Sequence, residues 1–230
     1  MRRICTRTGM VSIYFSVIAT LLIQASAGAA TYAFDFDAVF DGAAPAGASS
    51  QVTAVFQDAG PGAVDLTISA PGLTPGEYVG AMFFNLNPVL NPTQLNFTRT
   101  ASIGSFSAPS IAKGMNRFSP DNQDRFDLEL GFSTTNGKQF GPGDSIEYVI
   151  TGILGFDAAD FVFRDSLCSG TGLYYAAADI GGVQKCNQTG LVAVTSSNEL
   201  ATVPEPSTTL FFSLAVGLFA GLRRFRRRVS

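Results

Sequence analysis

The sequence predicts an all-β domain that folds as an antiparallel β-sandwich. Apolar and polar residues alternate with a period of two in several short segments, and glycine and proline turns separate these segments. Between the two ends of the chain, no segment keeps the 3.6-residue apolar period of an amphipathic helix. Many short strands without a long helix favour a sandwich, and a β-barrel is the alternative. The pattern does not distinguish a jelly roll from an immunoglobulin-like topology.

Four segments carry the alternation most clearly, and each is expected to have one buried and one solvated face. They are residues 34–40, 64–70, 126–132 and 146–151. Residues 79–86 are apolar on both faces, which predicts a central strand of a sheet. Weaker strand candidates are residues 51–56, 93–98, 161–163, 173–180 and 191–195.

Local signals predict the turns between these strands. Glycine and proline clusters break the chain at the spacing expected for strands. Asn136-Gly137 lies between two alternating segments and predicts a hairpin turn. Asp157 is expected to cap a single helical turn, because its carboxylate can accept the backbone amide of Ala159 or Asp160.

The charges of the chain are unevenly distributed. The 230 residues include no histidine or tryptophan, and only 14% of them are charged. Eight of the 15 basic residues lie at the two ends. The seven others share the middle of the chain, residues 35–205, with all 18 acidic residues, which gives this part a net charge of −11. Such an acidic surface disfavours nucleic acid as a partner.

The first 27 residues have the pattern of a secretory signal peptide. Three arginines come first, and residues 10–23 are apolar. Ala25, Ser26 and Ala27 offer small side chains for cleavage after Ala27, and residues 27–29 are the neighbouring alternative. We therefore expect a signal helix that directs the chain to the Sec export machinery and is then removed. A retained membrane anchor is the alternative, although the apolar stretch is short for one.

Export determines how the cysteines are interpreted. Cys5 leaves with the signal peptide, so the mature chain keeps Cys168 and Cys186. In an oxidising compartment such a pair predicts a disulfide, which would stabilise the fold by about 3 kcal/mol through the loop that it closes. The alternative is a redox-active pair, but the wide spacing lacks the C-x-x-C geometry that tunes thiol reactivity.

A polar linker at residues 197–202 joins the body, residues 28–196, to a tail with a motif, an apolar run and a basic end. The motif comprises Val203, Pro204, Glu205, Pro206 and Ser207, and the basic end comprises Arg223, Arg224, Arg226, Arg227 and Arg228. A transmembrane helix over residues 208–222 would be about 22 Å long, so it crosses a bilayer only with help from its flanks or where the bilayer is thin. The arginines stay cytoplasmic, which places the acidic body outside.

This tail, residues 203–230, closely resembles the PEP-CTERM sorting signal of Gram-negative bacteria, because motif, apolar helix and basic end occur together and in order. The resemblance implies that exosortase, a membrane protease, recognises and processes the chain. It also implies an organism that makes an exopolysaccharide or biofilm matrix, and a protein that is anchored transiently in the inner membrane before it reaches the cell surface. The two prolines keep the motif extended, as a protease needs. An ordinary stop-transfer anchor is the alternative.

The most concentrated polar cluster is formed by Asp121, Asn122, Asp124 and Asp127, whose side-chain oxygens suit Ca²⁺. Their spacing departs from the calcium-loop pattern, and Arg125 lies among them. A solvated acidic turn that leads into a strand is the alternative, and it is the favoured interpretation. No metal or other cofactor is therefore expected.

The absence of histidine excludes the usual zinc sites and Ser-His-Asp triads. Paired carboxylates would still allow glycoside hydrolysis, but Asp127 and Glu129 are expected on the solvated face of a strand. Tyr174 and Tyr175 are adjacent, so at most one of them is expected on a given face, where it could stack on a sugar ring; core packing is the favoured alternative.

The function predicted from these observations is that of an exported structural protein of the cell surface or extracellular matrix, without enzymatic activity. The alternative is a carbohydrate-binding module for an exopolysaccharide. A secreted hydrolase is the less favoured third class.

Overall fold

The computed structural model describes residues 29–47, 50–122, 124–164, 174–183 and 188–200. In these residues, short strands and two 3₁₀ turns follow one another. The strands are β1 Thr31–Phe36, β2 Ala38–Gly42, β3 Val52–Gly60, β4 Ala63–Ser69, β5 Tyr78–Phe84, β6 Asn96–Ile103, β7 Ser110–Phe118, β8 Phe126–Gly131, β9 Ser145–Thr151, β10 Ala176–Val183, β11 Gln188–Val194 and β12 Ser197–Leu200. The first 3₁₀ turn is Pro92–Gln94, and the second is Ala158–Phe161.

The strands form two six-stranded antiparallel sheets. The first sheet has the order β12-β1-β3-β4-β9-β6, and the second has the order β2-β11-β10-β5-β8-β7. Buried apolar side chains from both sheets make up one main core. The predicted all-β sandwich of antiparallel strands is therefore confirmed.

Aromatic side chains fill the space between the sheets. The Phe56 ring on β3 lies 5.4 Å from Phe34 in its own sheet and 5.4 Å from Phe84 in the second sheet, measured between ring centroids. It also stacks on Phe161 of the second 3₁₀ turn, with the centroids 3.9 Å apart. All four rings are fully buried, and burial of each contributes about 1.5–3 kcal/mol to stability.

Three of the clearest alternating segments are strands where the sequence predicts them. Residues 64–70, 126–132 and 146–151 correspond to β4, β8 and β9, and their apolar positions are buried. The apolar segment 79–86 corresponds to β5, which lies inside the second sheet between β10 and β8, as expected for a central strand.

Residues 34–40 form two strands instead of one. β1 belongs to the first sheet and β2 to the second, and the chain crosses between the sheets at Asp37. The alternation continues through this exposed aspartate without a break, so the pattern does not reveal the crossing.

One of the weaker strand predictions is wrong, because residues 161–163 end the second 3₁₀ turn and form no strand. Another is confirmed for its second half, since residues 93–98 begin within the first 3₁₀ turn and join β6 from Asn96. The residues 51–56, 173–180 and 191–195 overlap β3, β10 and β11. The alternation does not predict β7, which lies at the edge of the second sheet.

The linker prediction for residues 197–202 is wrong for its first four residues. Ser197–Leu200 form β12, which pairs antiparallel with β1 at the edge of the first sheet. Small and polar residues are tolerated there because an edge strand is held by backbone hydrogen bonds and has one side open to solvent.

The predicted turn at Asn136-Gly137 exists, but it closes no hairpin. The Lys138 N–H donates to the Thr135 carbonyl over 3.0 Å, and Gly137 has a φ of 76°, which favours glycine. The flanking strands β8 and β9 belong to different sheets, so this turn lies on a crossing between sheets.

The predicted cap at Asp157 is confirmed. Its Oδ1 atom accepts the Ala159 N–H over 3.0 Å, and the Asp160 carboxylate in turn accepts the Asp157 N–H over 3.2 Å. This reciprocal capping box begins the second 3₁₀ turn, which carries Phe161 into the core.

Within the described part of the chain, no helix has the length and apolar character needed to cross a membrane. The predicted signal helix, the predicted C-terminal membrane helix, and Cys168 and Cys186 all lie outside the described residues.

Candidate functional site

A pocket of about 60 Å³ lies beside the carboxylate of Asp127. Its walls are formed by the segment that follows β5, by β7 and β8, and by the segment after the second 3₁₀ turn. Its lining residues are Asn85, Leu86, Pro88, Leu90, Met115, Asn116, Asp127, Phe163 and Arg164. Of the four residues predicted as a calcium cluster, it includes only Asp127.

The Asp127 carboxylate on β8 accepts hydrogen bonds from the chain segments on both sides of that strand. Its Oδ2 atom accepts the Leu86 N–H over 2.9 Å on the β5 side. Its Oδ1 atom accepts the Asn116 N–H over 2.7 Å on the β7 side. The side chain is only 8% exposed, so the prediction that Asp127 lies on a solvated face is wrong.

An interruption in strand pairing explains why a carboxylate is buried here. The pairing of β7 with β8 moves from Lys113 and Leu128 to Phe118 and Phe126, so residues 114–117 lie opposite Asp127 alone. This bulge removes regular backbone partners from the ladder. The carboxylate supplies acceptors in their place, since a buried N–H without a partner is costly.

Asn116 in this bulge has a left-handed backbone, with φ at 48°. Asparagine tolerates this conformation better than most residues, and here it directs the amide of Asn116 to Asp127. The asparagine side chain is exposed and lies on the pocket wall, next to Met115, which is 58% exposed.

The pocket contains two further polar groups with capacity for a ligand. Asn85 is 3% exposed, and its Nδ2 atom donates to the Tyr174 carbonyl over 3.2 Å. No described group donates to its Oδ1 atom, so this acceptor is available on the pocket wall. Arg164 donates from Nη2 to the Thr195 carbonyl over 2.7 Å and lies 4.6 Å from the centre of the Tyr175 ring. Its other N–H groups donate to no acceptor among the described residues, so they are available to a ligand there.

The site thus combines hydrogen-bond acceptors, donors and an apolar wall. The Asp127 carboxylate already holds two backbone amides, and it is the one carboxylate among the described residues that line the pocket. This mixture of groups is suited to binding a small polar group.

The structure does not bring the predicted calcium ligands together. Asp121 accepts the Asp124 N–H over 2.9 Å and Asn122 has a φ of 66°, both as part of a turn, whereas Asp127 points to backbone amides. Across the described ranges, no three Cys, Asp or Glu side chains are placed to hold a metal ion. The calcium candidate therefore gains no support.

A second group of acidic residues surrounds the second 3₁₀ turn. Asp58 accepts the backbone N–H groups of Ala30 and Ala158, and Asp160 accepts the Asn87 amide. Burial raises the pKa of Asp157 above its ordinary value, and the nearby Asp160 and Asp58 carboxylates raise it further. Because these side chains hold backbone and amide donors, they fasten the turn to its surroundings.

Asp179 on β10 is a half-buried carboxylate of a different kind. Its Oδ1 atom is buried and accepts no hydrogen bond from the described residues. A Cβ atom at Gly80 would lie 3.0 Å from its Oδ2 atom, so glycine makes room for this side chain. Burial raises the pKa of Asp179 above its ordinary value of 3.8.

The adjacent Tyr174 and Tyr175 pack on different clusters, as the sequence predicts. Tyr175 lies against the main core, 6.1 Å from the Phe34 ring. Tyr174 lies against a second apolar cluster around Phe83, 4.9 Å from the Phe40 ring. Both rings are half-buried and take part in packing.

Several predicted site residues lie outside the described residues. They are Ala27 at the signal cleavage site, Cys168 and Cys186, the motif at residues 203–207 and the basic end at residues 223–228. Sequence reasoning did not identify Asn85, Asn116 or Arg164. The one signal for Asn85 is an amide that directly follows the apolar strand β5.

We expect Asp127→Asn to destabilise the body by about 1–3 kcal/mol, because an amide nitrogen would replace one of the two acceptors that hold the Leu86 and Asn116 N–H groups. Urea unfolding measures the difference. Asp65→Asn, at an exposed position of β4, is the matched control and should change stability little. Equal stability of the two variants would contradict the bridging role of Asp127.

We expect Asp179→Asn to stabilise the body at neutral pH. A raised pKa means that the folded state binds the proton more tightly than the unfolded state does, so stability falls as pH rises above 3.8 towards the folded-state pKa. The amide removes this loss, and its advantage should disappear below about pH 3, where both states are protonated. Melting temperatures at both pH values test this, with exposed Asp37→Asn as the control. A lower melting temperature at pH 7 would contradict it.

Comparisons with known proteins give a match to a family and distant likenesses to solved structures, two of which are described here. The CBM3b module of the major scaffoldin subunit ScaA from Acetivibrio cellulolyticus is 11% identical, with 74% of this chain and 97% of that chain covered and a TM-score of 0.30. A biomass-sensing module of a putative RsgI-like protein from Clostridium thermocellum is 12% identical, with 68% and 94% covered and a TM-score of 0.29. TM-scores this low do not establish a common fold or a common function. No curated protein matches the chain.

The family match concerns the tail. Residues 202–228 match the family described as the PEP-CTERM protein-sorting motif, which confirms the resemblance noted from the sequence. The motif implies export, sorting in association with a membrane and processing by exosortase, a membrane protease. The chain therefore carries a PEP-CTERM protein-sorting motif at its C-terminal end.

Proposed function

We propose that this protein is an exported structural component of the cell surface or extracellular matrix. The observation that carries the proposal is the sorting motif at residues 202–228, which follows an all-β body. The body is the cargo, and the tail is the signal that delivers it.

The proposed route assigns a role to each end of the chain. Residues 1–27 direct export through the Sec machinery and are removed after Ala27. The apolar residues 208–222 then hold the chain in the inner membrane, with the arginines at residues 223–228 on the cytoplasmic side. Exosortase cleaves near the motif and releases the body to the surface or matrix. In the oxidising exterior, Cys168 and Cys186 form a disulfide.

A structural role is supported by the way the body uses its acidic residues. Asp58, Glu77 and Asp127 each accept two backbone N–H groups from separate segments of the chain. Carboxylates used in this way stabilise loops and strand ends, and they are not free for proton transfer. We therefore propose that the protein is not an enzyme.

Carbohydrate binding is the second candidate function, and the pocket beside Asp127 favours it. The pocket offers the Asn85 carbonyl and the Arg164 guanidinium next to an apolar wall. Sugars are recognised by this mixture of polar and apolar contacts. A binding role is compatible with the structural one, since a matrix protein is retained by what it binds.

Replacement of Pro204, Glu205 and Pro206 by alanine should block sorting. Without the extended proline motif the protease loses its substrate, so most of the protein should remain in the membrane fraction with its basic end intact. Cell fractionation with an antibody against the body measures the distribution. A Thr208→Ala, Thr209→Ala variant is the matched control and should reach the exterior as the unmodified chain does. Equal release of both variants would contradict the proposal.

A further inference from the structure

We infer that the pocket beside Asp127 binds the acetamido group of an N-acetylated sugar. The inference rests on the second candidate function and names the class of sugar for it. It follows from the size of the pocket, from the hydrogen-bonding groups on its wall and from the charge around it.

The pocket is large enough for one substituent of a sugar but too small for a whole sugar ring. Its volume is about 60 Å³. A bound water occupies roughly 10–15 Å³ on this measure, so the pocket has room for roughly four to six non-hydrogen atoms. An acetamido group, with its nitrogen, carbonyl and methyl, has this size. A pyranose ring does not fit inside and would lie across the mouth.

An acceptor inside the pocket suits the amide N–H of this group. Asn85 is 3% exposed, and its orientation is set by the hydrogen bond from Nδ2 to the Tyr174 carbonyl. This bond leaves Oδ1 without a donor among the described residues. An acceptor with an open lone pair on the pocket wall can accept a ligand N–H.

Donors at the rim suit the acetamido carbonyl. Arg164 is held by the Thr195 carbonyl and by the face of the Tyr175 ring, which leaves its remaining N–H groups for a ligand. The exposed side-chain amide of Asn116 also lines the pocket, and its donor is uncommitted among the described contacts. Both groups can donate to a carbonyl oxygen while Arg164 keeps its hydrogen bond to the Thr195 carbonyl.

The apolar part of the wall accommodates the methyl group. Leu86 is 2% exposed, and Leu90 and Phe163 are half-buried beside it. At the mouth, Met115 is 58% exposed and offers an apolar surface to the face of a sugar ring.

Charge favours an uncharged ligand. The body, residues 28–196, carries a net charge of −9, and inside the pocket the Asp127 carboxylate offsets the Arg164 guanidinium. An acidic sugar or phosphate would be repelled by the surrounding surface. An N-acetylated sugar is neutral and supplies a donor, an acceptor and a methyl group together. An acetylated lysine in a peptide presents the same group, and the experiment separates the two sources.

The test measures binding of short oligosaccharides to the full chain, purified in a detergent without a sugar headgroup. Isothermal titration compares the tetramer of N-acetylglucosamine with its deacetylated form and with the glucose tetramer. An acetyl-lysine peptide serves as the fourth probe. We expect the acetylated tetramer to bind at least about tenfold more tightly than the other three, from the loss of the acetamido hydrogen bonds.

Two variants with matched controls assign the binding to this pocket. Asn116→Gly removes the side-chain amide but keeps the left-handed backbone and the N–H that Asp127 accepts. Asn122→Gly, at the other asparagine with positive φ, is its control. Arg164→Gln removes the guanidinium, and Arg99→Gln, at an exposed position of β6, is its control. Each pocket variant should weaken binding roughly fivefold or more, and each control less than about twofold.

The outcomes separate failure of this inference from failure of the candidate function. Equal binding of acetylated and unacetylated tetramers would overturn the acetamido assignment and leave carbohydrate binding in place. Tighter binding of the peptide would overturn the assignment to a sugar. Binding that the pocket variants leave unchanged would overturn the site. No binding of any tetramer would overturn the inference and remove the support that this pocket gives to carbohydrate binding.

Discussion

The two sheets are held together by aromatic rings buried on their facing sides, and the Phe56 ring lies at the centre of this contact. It touches Phe34 in its own sheet, Phe84 in the opposite sheet and Phe161 in the second 3₁₀ turn. The period-two alternation in β4, β8 and β9 is the consequence of this constraint, because a strand that packs against the other sheet must present one apolar face to it. The capping box of Asp157 serves the same contact, since it begins the turn that places Phe161 against Phe56.

Regular pairing cannot continue everywhere in such a sandwich, and the candidate site lies where it stops. The bulge in β7 leaves one strand position without regular partners, and Asp127 compensates by accepting amides from both neighbours. The same irregularity includes Asn116 with its left-handed backbone, and Asn116 and Met115 of the bulge line the pocket together with Leu86. The candidate pocket thus lies beside a break in a ladder that a buried carboxylate repairs.

The fold was largely predictable from the sequence, whereas the site was not. Alternation predicts strands wherever a strand has one face in the core, which is why β4, β8 and β9 were identified. It does not detect the change of sheet at Asp37, where the pattern continues unbroken, or the strand Ser197–Leu200, where backbone pairing replaces burial. The pocket depends on residues such as Asn85 and Arg164 that are distant in sequence and share no local pattern, so only the tertiary arrangement reveals it.

The central claim is that the acidic sandwich is a cargo and that both ends of the chain are removed as it is delivered. The intact mass of protein recovered from outside the cells tests this most directly. The expected mass lacks residues 1–27 at the start and the arginines at residues 223–228 at the end. Recovery of external protein that uniformly retains residues 223–228 would contradict the claim, because the tail would then be a permanent anchor or an uncleaved extension instead of a sorting signal that is removed.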